Sequence, residues 1–121
     1  MKASIQTVEN RYTAFADNTT LAAVVTNASF DKAQLSKIAG MAQDGFARAI
    51  HPVHTSADGD SIYAASVGSV EADLDVVGTI AAEVVSEAIL RAVDHAESAY
   101  GFPSSSEIVS RRAKETKEQK Q

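Results

Sequence analysis

Two short stretches of this 121-residue chain concentrate the side chains able to do chemistry. The first is Asp17-Asn18-Thr19-Thr20, directly before an apolar run. The second, His51 to Asp60, ends in Asp58-Gly59-Asp60. Two carboxylates around a glycine can be brought near one point, because glycine gives the backbone unusual freedom. His51 and His54 stand three apart, a spacing compatible with metal ligation, but a zinc site needs three or four convergent ligands. They are therefore read as polar groups that fix the loop. Taken alone, Thr19 is equally a β-branched residue suited to a strand start, and Asp-Gly-Asp equally a solvated turn. Asn27 is read as satisfying a turn and not as an oxyanion donor. The chain has no cysteine, which excludes disulfides, thiolate metal sites and a cysteine nucleophile.

The elements that must position these residues read as strand-helix-strand-helix. Thr20 to Ala28, with Val24, Val25 and Thr26 at its centre, has the composition of a buried strand. Ser29 or Asp31 can cap the helix that follows, whose apolar positions Leu35, Ile38, Ala42, Phe46 and Ala49 recur at spacings of three and four. Pro52 cannot continue it, so it ends near Ile50. Ser61 to Val67 is the second strand. Asp75 to Ala99 is a long helix with an expected apolar stripe of Val77, Ile80, Ala81, Val84, Ala88 and Ala92. Glu87 and Arg91 can pair at i, i+4. Its small residues (Gly78, Ala81, Ala82, Ala88, Ala92) suit close packing on a sheet. A two-stranded sheet is rarely stable by itself, so the strands belong to a larger sheet completed from elsewhere.

Composition bounds the rest. The chain is 45% hydrophobic and 22% charged, as expected of one globular domain. No apolar run approaches the roughly 18 residues a spanning helix needs, and no basic-then-apolar leader opens the chain; the expected location is cytoplasmic and no membrane partner is expected. The net charge of −5 argues against a nucleic-acid partner. From Pro103 onward five bases stand against three acids in a Lys/Glu/Gln-rich run, read as a polar flexible tail, frayed or partly helical.

Against this frame a family resemblance emerges. Asn18-Thr19-Thr20-Leu21-Ala22-Ala23-Val24-Val25-Thr26-Asn27 resembles the processing site and following strand of the DmpA-type aminopeptidases and nylon-oligomer hydrolases, which are self-cleaving N-terminal-nucleophile amidases. Ala47 to Thr55, followed by Asp58 to Ala64, resembles the same family at matching separation, and Ile80-Ala81-Ala82-Glu83-Val84 fits it too. The similarity runs from Asn18 to about Ala96. It implies that Thr19 breaks the Asn18–Thr19 bond by attack of its hydroxyl on the preceding carbonyl. Thr19 then serves as an N-terminal nucleophile whose own α-amine is the base. It further implies that Asp58 and Asp60 orient Thr19, that the substrate is a small peptide or amide, and that neither a metal nor another cofactor takes part.

The same resemblance implies an α/β fold forming half of a four-layer α-β-β-α sandwich. The expected organisation is a leader over residues 1–18, a nucleophile-bearing domain over 19–102 and the tail over 103–121. Relatives carry further active-site groups before the scissile bond, which Met1 to Asn18 cannot supply. The expectation is therefore an amide-bond hydrolase working with a companion chain or as a homo-oligomer. The alternative is an inactive truncated relative acting as an oligomeric assembly module.

Overall fold

The computed structural model describes residues 19–118. Five elements follow in order: β1 (Leu21–Ala28), α1 (Lys32–Ala49), β2 (Ser61–Val70), α2 (Leu74–His95) and α3 (Ser105–Glu118). They divide into two compact units, one ending at Ser86 and one beginning at Glu87.

In the first unit β1 and β2 pair in parallel, from Leu21 opposite Ser61 to Thr26 opposite Ser66. Parallel neighbours require a crossover, and α1 supplies it. The register then slips, so that Ala28 stands opposite Val70. Gly68 lies at the slip, where an added Cβ would fall 2.2 Å from the Asn27 carbonyl oxygen. Beyond it the Ser29 N–H donates to the Val70 carbonyl at 2.8 Å, and the Ser66 hydroxyl is hydrogen-bonded to the Ala28 carbonyl.

Helix α1 starts where its sequence supplies a cap. The Asp31 carboxylate accepts the Gln34 N–H at 2.8 Å, and the Gln34 side chain accepts the Asp31 N–H at 2.9 Å. This reciprocal pair satisfies two of the donors that every helix start leaves open. Asp31, and not Ser29, is thus the cap. The helix stops at Ala49, with the Ile50 N–H closing the last turn on Phe46. Ile38, Ala42 and Phe46 lie on one face and are wholly buried. Removing a phenylalanine side chain from water is worth roughly 1.5–3 kcal/mol, so Phe46 and Ile38 anchor this small core.

Helix α2 is capped by Asp73, whose carboxylate accepts the Asp75 and Val76 N–H groups at 2.9 and 3.0 Å. Its buried face shares Ala81 with the expected stripe, and Gly78, Ala81 and Ala82 with the small residues expected to pack closely, but otherwise differs. Gly78, Ala81, Ala82 and Val85 are buried, whereas Ile80 is 52% and Val84 60% exposed. Small residues select the face because they meet another helix and not the sheet. A Cβ on Gly45 of α1 would fall 2.5 Å from the Ala82 carbonyl oxygen and 2.9 Å from Val85, and one on Gly78 would strike Met41 of α1. Only the side with the least bulk permits so close an approach.

The sheet is shielded on one face only. Along β1 the residues alternate strictly, with Leu21 and Val25 outward and Ala22 and Val24 inward. On β2, Tyr63 is 69% and Val67 71% exposed. The strand expected to be buried is, among the described residues, shielded along one face, and its exposure alternates with period 2. The α/β class stands, while the sandwich layers are not visible in one sheet.

In the second unit, the C-terminal end of α2 carries the expected Glu87–Arg91 pair at 2.8 Å, both side chains exposed. Such a pair contributes under about 1 kcal/mol. The helix ends at His95, short of Ala99, because the chain turns back at Tyr100 and Gly101. Both have positive φ, and Ala99 and Phe102 bond to each other across the turn. In the segment read from composition as a flexible, frayed or partly helical tail, residues Ser105–Glu118 are helical. The reason is local. Ser104 caps the helix by accepting the Glu107 N–H at 3.3 Å. The return half of the capping box passes through Ser98, whose hydroxyl accepts the Ser104 N–H and donates to Glu107. Arg111 pairs with the same carboxylate one turn on.

Two glycines of α1 give opposite expectations. Gly40 has open space around it, so Gly40→Ala gains helix propensity and stabilises the chain by roughly 0.5–1 kcal/mol. Gly45→Ala gains the same propensity but collides with α2, and its net effect is a lower midpoint in urea denaturation. The Ser98 hydroxyl and then Arg111 hold the Glu107 carboxyl below its ordinary pKa. Protonation of Glu107 therefore weakens the start of α3 as pH falls through that lowered value. Ser98→Ala moves the Glu107 titration upward, as followed by NMR.

Candidate active site

Thr19 and the Asp58-Gly59-Asp60 loop come together at the entrance to the sheet. Thr19 is exposed and lies two residues before Leu21, the first residue of β1. The loop immediately precedes β2, and pairing starts with Leu21 opposite Ser61. Parallel pairing puts both strand starts at the same end of the sheet. Segments some forty residues apart in sequence are thus brought side by side by strand register alone.

The contact is specific. The Asp60 carboxylate accepts the Thr20 N–H at 2.7 Å, and the Thr20 carbonyl accepts the Ser61 N–H at 3.0 Å. Thr20 is thus held by both its N–H and its carbonyl, with Asp60 supplying the acceptor that a further ladder residue would otherwise provide. A hydrogen bond to a charged acceptor is worth about 1.5–3 kcal/mol when the donor is shielded. Gly59 lies directly against Thr19, so that a Cβ built on it would be 2.9 Å from the Thr19 Oγ1.

Asp58 serves the loop. Its carboxylate accepts the Thr55 N–H at 2.7 Å, while its own N–H donates to the Thr55 carbonyl at 3.2 Å. The turn from Thr55 to Asp58 is closed by its own side chain, as aspartates commonly do. One carboxylate thus fixes the shape of the loop and the other fixes the loop to the strand carrying Thr19. Both histidines are exposed; His54 adopts positive φ and His51 precedes a cis Pro52. Among the described residues no three His, Asp or Glu side chains gather as a metal site would require. Asn27 is exposed at the strand slip, its carbonyl against Gly68. Asn18, the other half of the expected scissile bond, lies outside the described residues.

Gly59 carries a role that sequence reasoning assigned differently. Its φ does not fall in the positive region, which among glycines is occupied by Gly101. Backbone freedom is therefore not what position 59 requires. The requirement is space, and no local pattern signals it, because Thr19 approaches only after the strands pair.

Comparison with known proteins identifies the family. The model of peptidase family S58 matches residues 2–106. An uncharacterized aminopeptidase of Mycobacterium leprae is 40% identical, with 71% of this chain and 28% of that protein covered. An uncharacterized aminopeptidase of Mycobacterium tuberculosis is 32% identical, with 71% and 29% covered. The 6-aminohexanoate-oligomer endohydrolase of Paenarthrobacter ureafaciens is 32% identical, with 64% and 25% covered. The chain spans less than a third of the length of these relatives.

The clamp on Thr20 has a direct readout. Asp60→Ala leaves the Thr20 N–H without its acceptor, accelerates exchange of that amide with solvent and lowers stability by about 1–2 kcal/mol. Asp60→Asn keeps an acceptor oxygen and retains most of the protection. Equal exchange at Thr20 in all three proteins would show the bond to be inconsequential.

Proposed function

The chain belongs to peptidase family S58, and from that premise we propose that it is the nucleophile-bearing part of an amide-bond hydrolase whose nucleophile is Thr19. Maturation begins when the Thr19 Oγ1 attacks the Asn18 carbonyl carbon. The C–O bond forms, the Asn18–Thr19 C–N bond breaks, and the proton lost from the hydroxyl ends on the liberated α-amine. Water then hydrolyses the resulting ester and frees Thr19 as an N-terminus.

In turnover the α-amine accepts the Oγ1 proton while the oxygen attacks the substrate amide. The leaving amine departs with a proton, and water releases the acyl group from Thr19. An α-amine has a reference pKa near 8, so a useful fraction is neutral at physiological pH without further tuning. Asp60 holds the peptide that follows the nucleophile, and Asp58 holds the loop bearing Asp60. Their proposed role is orientation, since a nearby carboxylate favours the charged amine and does not activate it.

The observation that carries this reading is the seat of Thr19. Its hydroxyl lies against Gly59, and the next peptide is held by Asp60. A threonine that merely opened a strand would need neither. The substrates proposed are small peptides or amides, in keeping with the names of the relatives. The uncovered sheet face bearing Leu21, Val25, Tyr63 and Val67 supports a companion segment, chain or copy completing the enzyme. It equally supports the second reading, an assembly module without turnover, which an absence of amide hydrolysis would favour.

Mass spectrometry separates the readings. Cleavage between Asn18 and Thr19 is expected on incubation of the purified chain with its completing partner. Thr19→Ala abolishes both cleavage and hydrolysis. Hydrolysis undiminished in Thr19→Ala would remove Thr19 from the mechanism.

A further inference from the structure

We propose that Gly59 is a positioning residue for the Thr19 hydroxyl, and that its missing side chain sets the direction in which that oxygen points. The inference rests on the reading of Thr19 as nucleophile and adds to it a residue that never touches substrate. Its basis is a double grip. Two consecutive loop residues hold the two consecutive residues that lead into β1: Gly59 lies on the Thr19 side chain and Asp60 holds the Thr20 N–H at 2.7 Å. The Thr20 carbonyl is held as well, by the Ser61 N–H at 3.0 Å. With the N–H and the carbonyl of Thr20 both held, the backbone directly after Thr19 is fixed and Thr19 cannot retreat by moving it.

What remains free is rotation about χ1, and there the space is asymmetric. A Cβ on Gly59 would lie 2.9 Å from Oγ1 but 3.7 Å from Cγ2 and 3.8 Å from the Thr19 Cβ. Contact at 2.9 Å is closer than a carbon side chain tolerates, whereas the other two are ordinary. The hydroxyl therefore occupies the branch of Thr19 that faces the loop main chain, into the gap the glycine leaves. Threonine is stiff at χ1 because both branches must find room. Added bulk at 59 would push the oxygen off this branch and away from its attack path. Gly59 is not held at positive φ, so alanine is compatible with the backbone and the substitution probes space alone.

The experiment is Gly59→Ala in the full chain, alone and combined with changes at Thr19. Three-bond couplings to the Thr19 Cγ2 report its χ1. One dominant rotamer is expected in the parent and a different population in Gly59→Ala. Cleavage at Asn18–Thr19, followed by mass under the conditions in which the parent is cleaved, slows by about tenfold or more, as misplacement of a reacting atom does. The thermal midpoint measures any loss of fold. Thr19→Ser in the Gly59→Ala background does not recover the lost rate, because serine keeps the oxygen that the added carbon displaces and loses only the methyl that had room.

Unchanged couplings with an unchanged cleavage rate in Gly59→Ala would overturn the proposal. If Gly59→Ala fails to fold, Gly59→Ala combined with Thr19→Ala removes the opposing atoms and restores folding; equal destabilisation with and without the Thr19 side chain would refute the contact. A parent chain that is never cleaved would defeat the nucleophile reading, while the couplings would still decide whether Gly59 sets the Thr19 rotamer.

Discussion

The hydrogen bond from the Thr20 N–H to Asp60 is the constraint on which the site depends. It lies where β1 and β2 begin, and it carries the parallel pairing one step beyond the ladder proper. Without an acceptor there, the peptide after Thr19 would be free to swing. With it, the nucleophile candidate inherits the rigidity of the sheet. Precision in a reactive group comes from rigid elements and locked neighbours, and here the sheet edge and one carboxylate provide both. The Thr55–Asp58 turn plays the supporting part, since it fixes the loop that presents Asp60.

Packing behind the sheet is governed by volume. Phe46 and Ile38 fill the interior from α1, while α2 offers glycine and alanine in return. Bulky Ile80 and Val84 are thereby turned outward, and the outer sheet face is left with Leu21, Val25, Tyr63 and Val67. A parallel sheet is ordinarily covered on both sides. A chain matching under a third of its relatives' length and exposing such a face is consistent with a fold completed by other polypeptide.

Legibility differed by element. Helix α1 was readable almost to the residue because its information is local: Asp31 and Gln34 form the cap and Ile38, Ala42 and Phe46 keep a helical spacing. The strand starts were readable for a similar reason, from runs of β-branched and small residues. The stripe of α2 was not. Hydrophobicity favoured Ile80 and Val84, whereas the fold chose small residues, because another helix and not the sheet came close. The start of α3 was legible in Ser104-Ser105-Ser106-Glu107 but masked by a composition suggestive of disorder. The relay through Ser98 required the preceding turn to form first.

By itself the sequence determined the candidate residues, the α/β order of the elements and the family, because hydroxyls, carboxylates, helical periods and motif spacing are properties of local chain segments. Only the tertiary structure decided that the Gly59 main chain abuts the Thr19 hydroxyl, that Asp60 grips the neighbouring peptide while Asp58 closes its own turn, and which side of α2 is buried. These are distances between segments far apart in the chain. They exist only once parallel register has brought two strand starts together and two helices have settled the volume between them.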